Sequence, residues 1–487
     1  MRISQKNILL LAAMFFALPA AAQEVPVSDA AAAPVAAVSS TNEAVAPQPE
    51  MPAPMTILQA VKKARALLKQ DIADRTAANP TPAILKAKPQ VADVTLAVWD
   101  KAASTVTLVH AEKSGTSLKV KTPGDWPIRV TTNNAQYSVY ALPAARGALV
   151  LGSRYPVAIE HKAGKKKTYE LHDTAYIPYQ TALYSPEVLT AGSDYLSYLI
   201  QGAFDELRAK GVTSRAFPSR LVVDVIDPYL IKSIVVIEHS DHATLLGDDA
   251  PERALGRFLV NLALNEEDAF DSSLSTAGAA GLVQFIPSTY KLYAQRRADL
   301  GLIQDFRAGM ADHKNAIKAE VAYLDQSLAG MPEAIKSIYA SDKDRAAEFL
   351  AAAYNGGDSR VKKAFAVYGD DWAHSPKAEL TALNARAATL KTRIAMFKSR
   401  IKRGKYVTEN KASLKEAESE RAVVTSRIAL INSSSLRQET AIYVAKLRKT
   451  YALLSAGAFA TPAAPSGALP VAVASSPAAP STIAFAQ

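Results

Sequence analysis

The chain has 487 residues, 49% of them hydrophobic, which is long for one ordinary domain and ample for at least one sizeable core. Cysteine is absent, which excludes disulfides, cysteine ligands for zinc and a lipidated cysteine. A formal net charge of +10 favours an anionic partner or simply aids solubility, and no aromatic and basic RNA-binding signature accompanies it, so nucleic acid is set aside.

Arg2 and Lys6, the apolar run Ile8 to Leu18 and the triplet Ala20-Ala21-Ala22 have the layout of a secretory signal peptide over residues 1–22, cleaved before Gln23. The run is short for a bilayer span, so membrane attachment is expected only if the signal stays uncleaved. Residues 23–55 are dominated by Ala, Pro, Val and Ser and read as a disordered linker, and residues 456–487 repeat that bias as a tail.

Residues 56–190 read as a short helix followed by a β-rich module. Ile57, Val61, Ala64, Leu67 and Leu68 recur at helical spacing. Between Val91 and Tyr179 the period changes: Val94, Leu96 and Val98 alternate with Thr95 and Ala97, and Asn133-Asn134 separates two β-rich runs. Lys165, Lys166 and Lys167 are placed in a turn, either touching an anionic strand or, more simply, solvated.

From Ser193 the pattern is helical, with Leu196, Ile200, Ala203, Phe204 and Leu207 on one face and a second apolar run from Leu230 to Ile237 that ends at Glu238. The stretch Ser275 to Tyr290 then reads STAGAAGLVQFIPSTY. Gly278 and Gly281 suit close backbone approach, Gln284 offers a neutral polar group, and Pro287 closes the apolar turn. Ala316, Ala319, Tyr323 and Leu324 suggest a further helix before AAYNGG, Ala352 to Gly357. After Trp372 the period becomes heptad: Leu380, Leu383, Ala387, Leu390, Ile394, Phe397 and Ile401 form one seam, and Leu414, Ala417, Val424, Ile428 and Ile431 a second. With Arg403 to Asn410 as a polar connection, this predicts an antiparallel helical hairpin over residues 376–435, serving either as an arm for a protein partner or groove wall, or as a self-packed pair. ETAIYV, Glu439 to Val444, belongs to a last helix.

The order S-x-x-G-A-x-G-L-x-Q-x-x-P-x-T, then A-Y-N-x-G, then E-T-x-x-Y-V resembles the lytic transglycosylases, and the wording is nearest their B-type members. The resemblance implies an α+β multidomain protein. Its parts are a mainly α lysozyme-like catalytic domain over residues 191–375, completed by 436–455, a small β-rich N-terminal module and an inserted antiparallel coiled-coil hairpin. It also implies peptidoglycan glycan strands as substrate, no cofactor, and one carboxylic acid, while the export signal without cysteine suits a periplasmic place of action. That acid protonates the glycosidic oxygen between N-acetylmuramic acid and N-acetylglucosamine. It then acts as base while the muramyl 6-hydroxyl attacks the anomeric carbon, which gives a 1,6-anhydro product. By the same motifs, Ser275 matches the serine near the acid, Gln284 the glutamine facing the cleft, and Tyr354 with Asn355 the pair lining the sugar groove.

Such an acid needs an apolar setting to stay protonated near neutral pH, and two glutamates compete. Glu238 ends an apolar segment, and the long gap from it to Ser275 suits the B-type layout. Glu267, in EDAFD, stands at nearly the spacing of compact members but between Glu266 and Asp268. Apolar setting favours Glu238, with Glu267 as the alternative. Asp241 either shares a continuing helix face with Glu238 or caps a turn. A muramidase-type hydrolase, which needs a second carboxylate, and a catalytically inactive wall-binding or assembly protein are the other readings. His239 and His242 stand at i and i+3, but spacing supplies no third ligand, so no metal is assigned.

Overall fold

The computed structural model describes residues 54–458 apart from 135–136, 164–165, 248–250, 272 and 374–375. The expected signal peptide, nearly all of the linker and tail, and Lys165 lie outside the described residues.

The first helix, Ile57–Ala78, opens on a capping box: Thr56 Oγ1 accepts from the Gln59 amide, and the Gln59 side chain accepts from the Thr56 amide. Its apolar stripe buries Ala60, Val61, Ala64 and Leu68. Leu67 is only partly buried, whereas Arg65 is buried, because that face must also meet three carboxylates discussed below.

The strands β1 (Ile84–Leu85), β2 (Ala92–Asp100), β3 (Thr105–Ser114), β4 (Ser117–Val120), β7 (Ala148–Ala163) and β8 (Lys166–Tyr176) form an antiparallel sheet in the order β1-β8-β7-β2-β3-β4. β5 (Arg129–Thr132) and β6 (Val139–Ala141) form a separate pair. The alternation in β2 does not mark one wet face, since the strand is covered on both sides. Val94, Leu96 and Val98 pack with Val109, Ala111, Tyr140 and Val150, whereas Ala97 and Trp99 join the core that contains Ala60, Val61, Ala64 and Leu68. The seam also holds a buried charge: the Arg154 side chain, 2% exposed, meets Asp71 at 3.1 Å, Asp93 at 2.9 Å and Asp173 at 3.0 Å, and the Thr95 hydroxyl donates to Asp71 at 2.7 Å. A guanidinium taken out of water needs such a full set of acceptors, and here they tie the first helix to the sheet. Lys166 and Lys167 lie in β8 rather than in the turn, and exposed Lys167 pairs with Glu160, as a solvated position would.

The helical part begins with Pro186–Ala209, ahead of the expected Ser193, because Ser185 caps it by accepting the Val188 amide and Pro186 supplies its first turn. It packs closely on Pro251–Asn265: a Cβ at Gly192 would fall 2.0 Å from the Leu259 carbonyl oxygen. The helix Pro228–Glu238, capped by Asp227, buries Leu230, Ile231 and Ile234 to Ile237. It packs on the last helix, Gln438–Ser455, which also receives Lys343–Gly356, the helix that carries Tyr354. Trp372 is buried with its ring stacked on Phe349 at 4.3 Å, and the chain then leaves for the hairpin.

The hairpin is Lys377–Lys402 followed by Val407–Ser434. Leu390, Ile394 and Phe397 pack with Ala417 and Val424, and Arg386–Glu420 and Arg427–Glu379 pairs flank the seam. The connection is shorter than Arg403–Asn410, since helix resumes at Val407 and Asn410 is buried with Nδ2 donating to the Lys405 carbonyl at 2.7 Å. The mainly α arrangement with a small β-rich N-terminal region and an inserted antiparallel hairpin is therefore the observed fold class.

Candidate active site

Glu238 is the last residue of its helix, so the apolar run delivers the carboxyl to the helix end while leaving it partly accessible. Its Oε1 accepts from the Tyr443 hydroxyl at 2.7 Å. Tyr443 is the tyrosine of ETAIYV on the last helix, and the sequence motif did not announce this contact. Burial pushes the Glu238 carboxyl up to about 7, although the Tyr443 hydrogen bond and the nearby Lys446 ammonium both pull it down. Lys446 is itself committed, donating to the Ser240 carbonyl at 3.0 Å. The outcome is a carboxyl that exchanges its proton around neutrality, as a group serving first as acid and then as base requires.

Glu267 sits in the opposite environment. The turn Glu266–Asp268 faces the first helix, where Lys69 Nζ lies 2.6 Å and Arg65 Nη2 3.0 Å from Glu267 Oε1. Arg65 also meets Glu266 at 2.6 Å, and Lys69 meets Asp268 at 2.7 Å. Partial burial would raise Glu267, but these cations outweigh it and hold the carboxyl near 2. At neutral pH these cations favour its anionic form, the opposite of what a proton donor needs. The three adjacent carboxylates are one side of an ion-paired latch rather than a solvated loop.

The STAGAAGLVQF stretch folds as a tight loop. Gly281 has φ +70, and a Cβ there would fall 2.5 Å from the Met310 carbonyl oxygen, so only glycine fits. Gln284 has φ +50 and its Nε2 donates to the Gly281 carbonyl at 2.8 Å and to Ser273 Oγ at 3.1 Å. Ser275 Oγ accepts from the Ala279 amide at 2.9 Å, which makes it a turn cap; among the described hydrogen bonds it has none to Glu238. Tyr354 reaches back to this loop, its hydroxyl donating to the Val283 carbonyl at 2.5 Å and its ring packing edge-on against Tyr323 at 5.3 Å and Phe285 at 5.9 Å. Asn355 is exposed and its Oδ1 accepts from Thr440 Oγ1 at 2.9 Å, again tying AAYNGG to ETAIYV. The fold thus gathers Glu238, Tyr443 and Tyr354 in one cluster, and Tyr354 ties that cluster to the loop that carries Gln284.

The remaining polar residues near Glu238 are occupied. The helix stops at Glu238, so Asp241 does not continue its face; it caps the next helix, accepting from the Thr244 amide and hydroxyl at 2.9 Å. His239 stacks on Phe270 at 3.8 Å, and its Nε2 lies 2.9 Å from the Leu282 carbonyl oxygen. Burial pushes that imidazole down to about 4, so it is neutral and already bonded. Among the described residues no His, Cys, Asp or Glu cluster has the arrangement of a metal site.

One residue of this cluster was not foreseen. Glu320, on the helix His313–Gly330, is fully buried, and both its carboxyl oxygens lack a hydrogen-bond partner. Burial, and then the charge of Glu238, push it well above the usual carboxylate range. Its charge also bears on Tyr354 and Tyr443, so it lies near the same cluster. Its sequence signal was an acid standing between Ala316, Tyr323 and Leu324, the very positions read as a buried stripe.

Residues 254–372 match the family described as Transglycosylase SLT domain. No curated protein and no solved structure matches the chain. The matched span holds Glu267, Ser275, Gln284, Tyr354 and Asn355 but begins after Glu238, which only the folded arrangement brings to Tyr354 and Tyr443. Within its mainly α fold, the chain therefore carries over residues 254–372 a stretch that matches the Transglycosylase SLT domain.

Proposed function

We propose that the protein cleaves the β-1,4 bond between N-acetylmuramic acid and N-acetylglucosamine in peptidoglycan without water, with Glu238 as its single acid and base. The observation that carries this reading is a partly accessible, neutral-range carboxyl that accepts from Tyr443 and lies near Tyr354. Protonated Glu238 gives its proton to the leaving glycosidic oxygen as the bond to the anomeric carbon breaks. The resulting carboxylate, stabilised by the Tyr443 hydroxyl, takes the proton of the muramyl 6-hydroxyl as that oxygen bonds to the anomeric carbon, and the 1,6-anhydro sugar leaves.

A hydrolase of retaining or inverting type needs a second carboxylate at the sugar. Asp241 is a cap, Glu267 is ion-paired, and Glu320 is sealed from solvent, which supports the single-acid reading. An exported, periplasmic protein is the setting in which this chemistry meets its polymer. Mass analysis of digested peptidoglycan tests the proposal: anhydro-muropeptides are expected, reducing ends would replace it by hydrolysis, and an intact polymer would replace it by binding alone.

A further inference from the structure

The hairpin has a chemistry that the catalytic reading does not use. Between Lys398 and Lys411 the sequence carries six cationic residues against one acid, Glu409. Nearer the body the hairpin neutralises itself, through Arg427–Glu379 and Arg386–Glu420, and Lys398 pairs with Glu418. Beyond these pairs Arg400, Lys402, Arg403, Lys405 and Lys411 are exposed, and among the described residues none of them enters an ion pair. The cations are therefore concentrated at the distal turn.

That turn is constructed around an aromatic side chain. Gly404 has φ +68 and Tyr406 has φ +43, a left-handed conformation that a tyrosine seldom adopts. Asn410 holds it, its amide donating to the Tyr406 carbonyl at 2.9 Å and its Nδ2 to the Lys405 carbonyl at 2.7 Å. The result is a tyrosine 77% exposed, with no apolar neighbour to cover it, in the middle of unpaired cations. Strained backbone that presents a side chain to solvent is a common mark of a functional position.

The 26-residue helix Lys377–Lys402 spans about 39 Å at ~1.5 Å per residue. The hairpin packs on the body at its base, through the helix Asp358–Tyr368, with Arg360 donating to the Ser435 carbonyl at 3.0 Å.

We propose that this tip, with Arg400, Lys402, Arg403, Lys405, Tyr406 and Lys411, docks on an anionic phospholipid surface. A compact cluster of free cations gains from a sheet of phosphate headgroups, and a tyrosine at its centre is suited to the headgroup layer, where its ring is partly shielded and its hydroxyl stays wet. No described helix is long and apolar enough to cross a membrane, so the contact is peripheral. The attachment would hold the body of the protein at roughly the length of the hairpin from the bilayer, and it does not depend on which reaction Glu238 performs.

The test is co-sedimentation of the exported chain with phosphatidylcholine vesicles, with and without a third of phosphatidylglycerol, at low and high salt. Binding is expected to the anionic vesicles alone and to weaken with salt. A combined Lys402→Ser, Arg403→Ser, Lys405→Ser variant should bind at least about tenfold more weakly, and Tyr406→Ser less severely, with glycan cleavage and circular dichroism unchanged. Failure of the native chain to pellet with anionic vesicles, or equal pelleting by the triple variant, overturns the proposal. So does retention on purified peptidoglycan that the triple variant loses while vesicles are ignored, since that result assigns the tip to the wall polymer.

Discussion

Glu238 and Glu267 are the same residue type in the same helical region, yet they titrate on opposite sides of the usual carboxylate range. Glu238 ends an apolar helix and has one neutral donor, Tyr443, so burial dominates and the carboxyl moves up to about 7. Glu267 lies on a turn between Lys69 and Arg65, so charge dominates and the carboxyl moves down to about 2. The difference teaches that flanking residues and distant partners act together on a carboxyl: the apolar helix favours a proton on Glu238, whereas Lys69 and Arg65 from the first helix favour the anion at Glu267.

The comparison breaks most sharply on activity. Glu238→Gln keeps size and hydrogen bonding but removes the transferable proton, and strand cleavage should fall by about 100- to 10,000-fold, measured as anhydro-muropeptide release. If that variant cleaves normally, Glu238 is not the acid.

Stability should sharpen the contrast next. A folded value near 7 lies above the ordinary 4.5, so the folded state holds the proton more tightly than the unfolded state. Glu238 therefore costs nothing below about pH 4.5 and destabilises increasingly as pH rises from there to 7. Glu238→Gln should match the native protein in urea unfolding at pH 4 and exceed it at pH 8 by about 1–3 kcal/mol, after allowance for partial solvent access. A difference that does not grow with pH contradicts the buried, protonated acid.

Tyr443→Phe removes the donor that favours the Glu238 carboxylate. The alkaline limb of kcat/KM should move to higher pH, with a loss on the order of 1 kcal/mol in transition-state stabilisation from the missing bond. A limb that stays in place would show that Tyr443 does not set the acid.

Glu267→Gln should have the smallest effect. Its side chain is 59% exposed, and exposed ion pairs contribute about 0–1 kcal/mol, so cleavage should stay within about twofold and the melting transition should shift only slightly. A large catalytic loss here would reverse the assignment of the two glutamates.

Much of the fold was legible because it is written in local period. The apolar spacing of Ile57 to Leu68, the run from Leu230 to Ile237 and the two heptad seams each specify an element through which face must leave water. The helix Pro186–Ala209 begins ahead of its apolar stripe because its start is set by the Ser185 cap and Pro186, which lie outside the periodic pattern. In the β-rich region the alternation of β2 predicted a strand but not that both its faces are covered, since the covering helix comes from another part of the chain.

The sequence by itself determined the elements, the motif loop with its obligatory glycine and the matched domain, because these depend on residues within a few positions of one another. Only the tertiary structure decided the chemistry. Tyr443 reaches Glu238 across 205 positions, Lys69 reaches Glu267 across 198, and the Glu320 carboxyl is raised by the enclosure of its helix and by the charge of Glu238. Proton affinity follows solvent exclusion and nearby charge, and both are properties of the packed assembly that no local pattern contains.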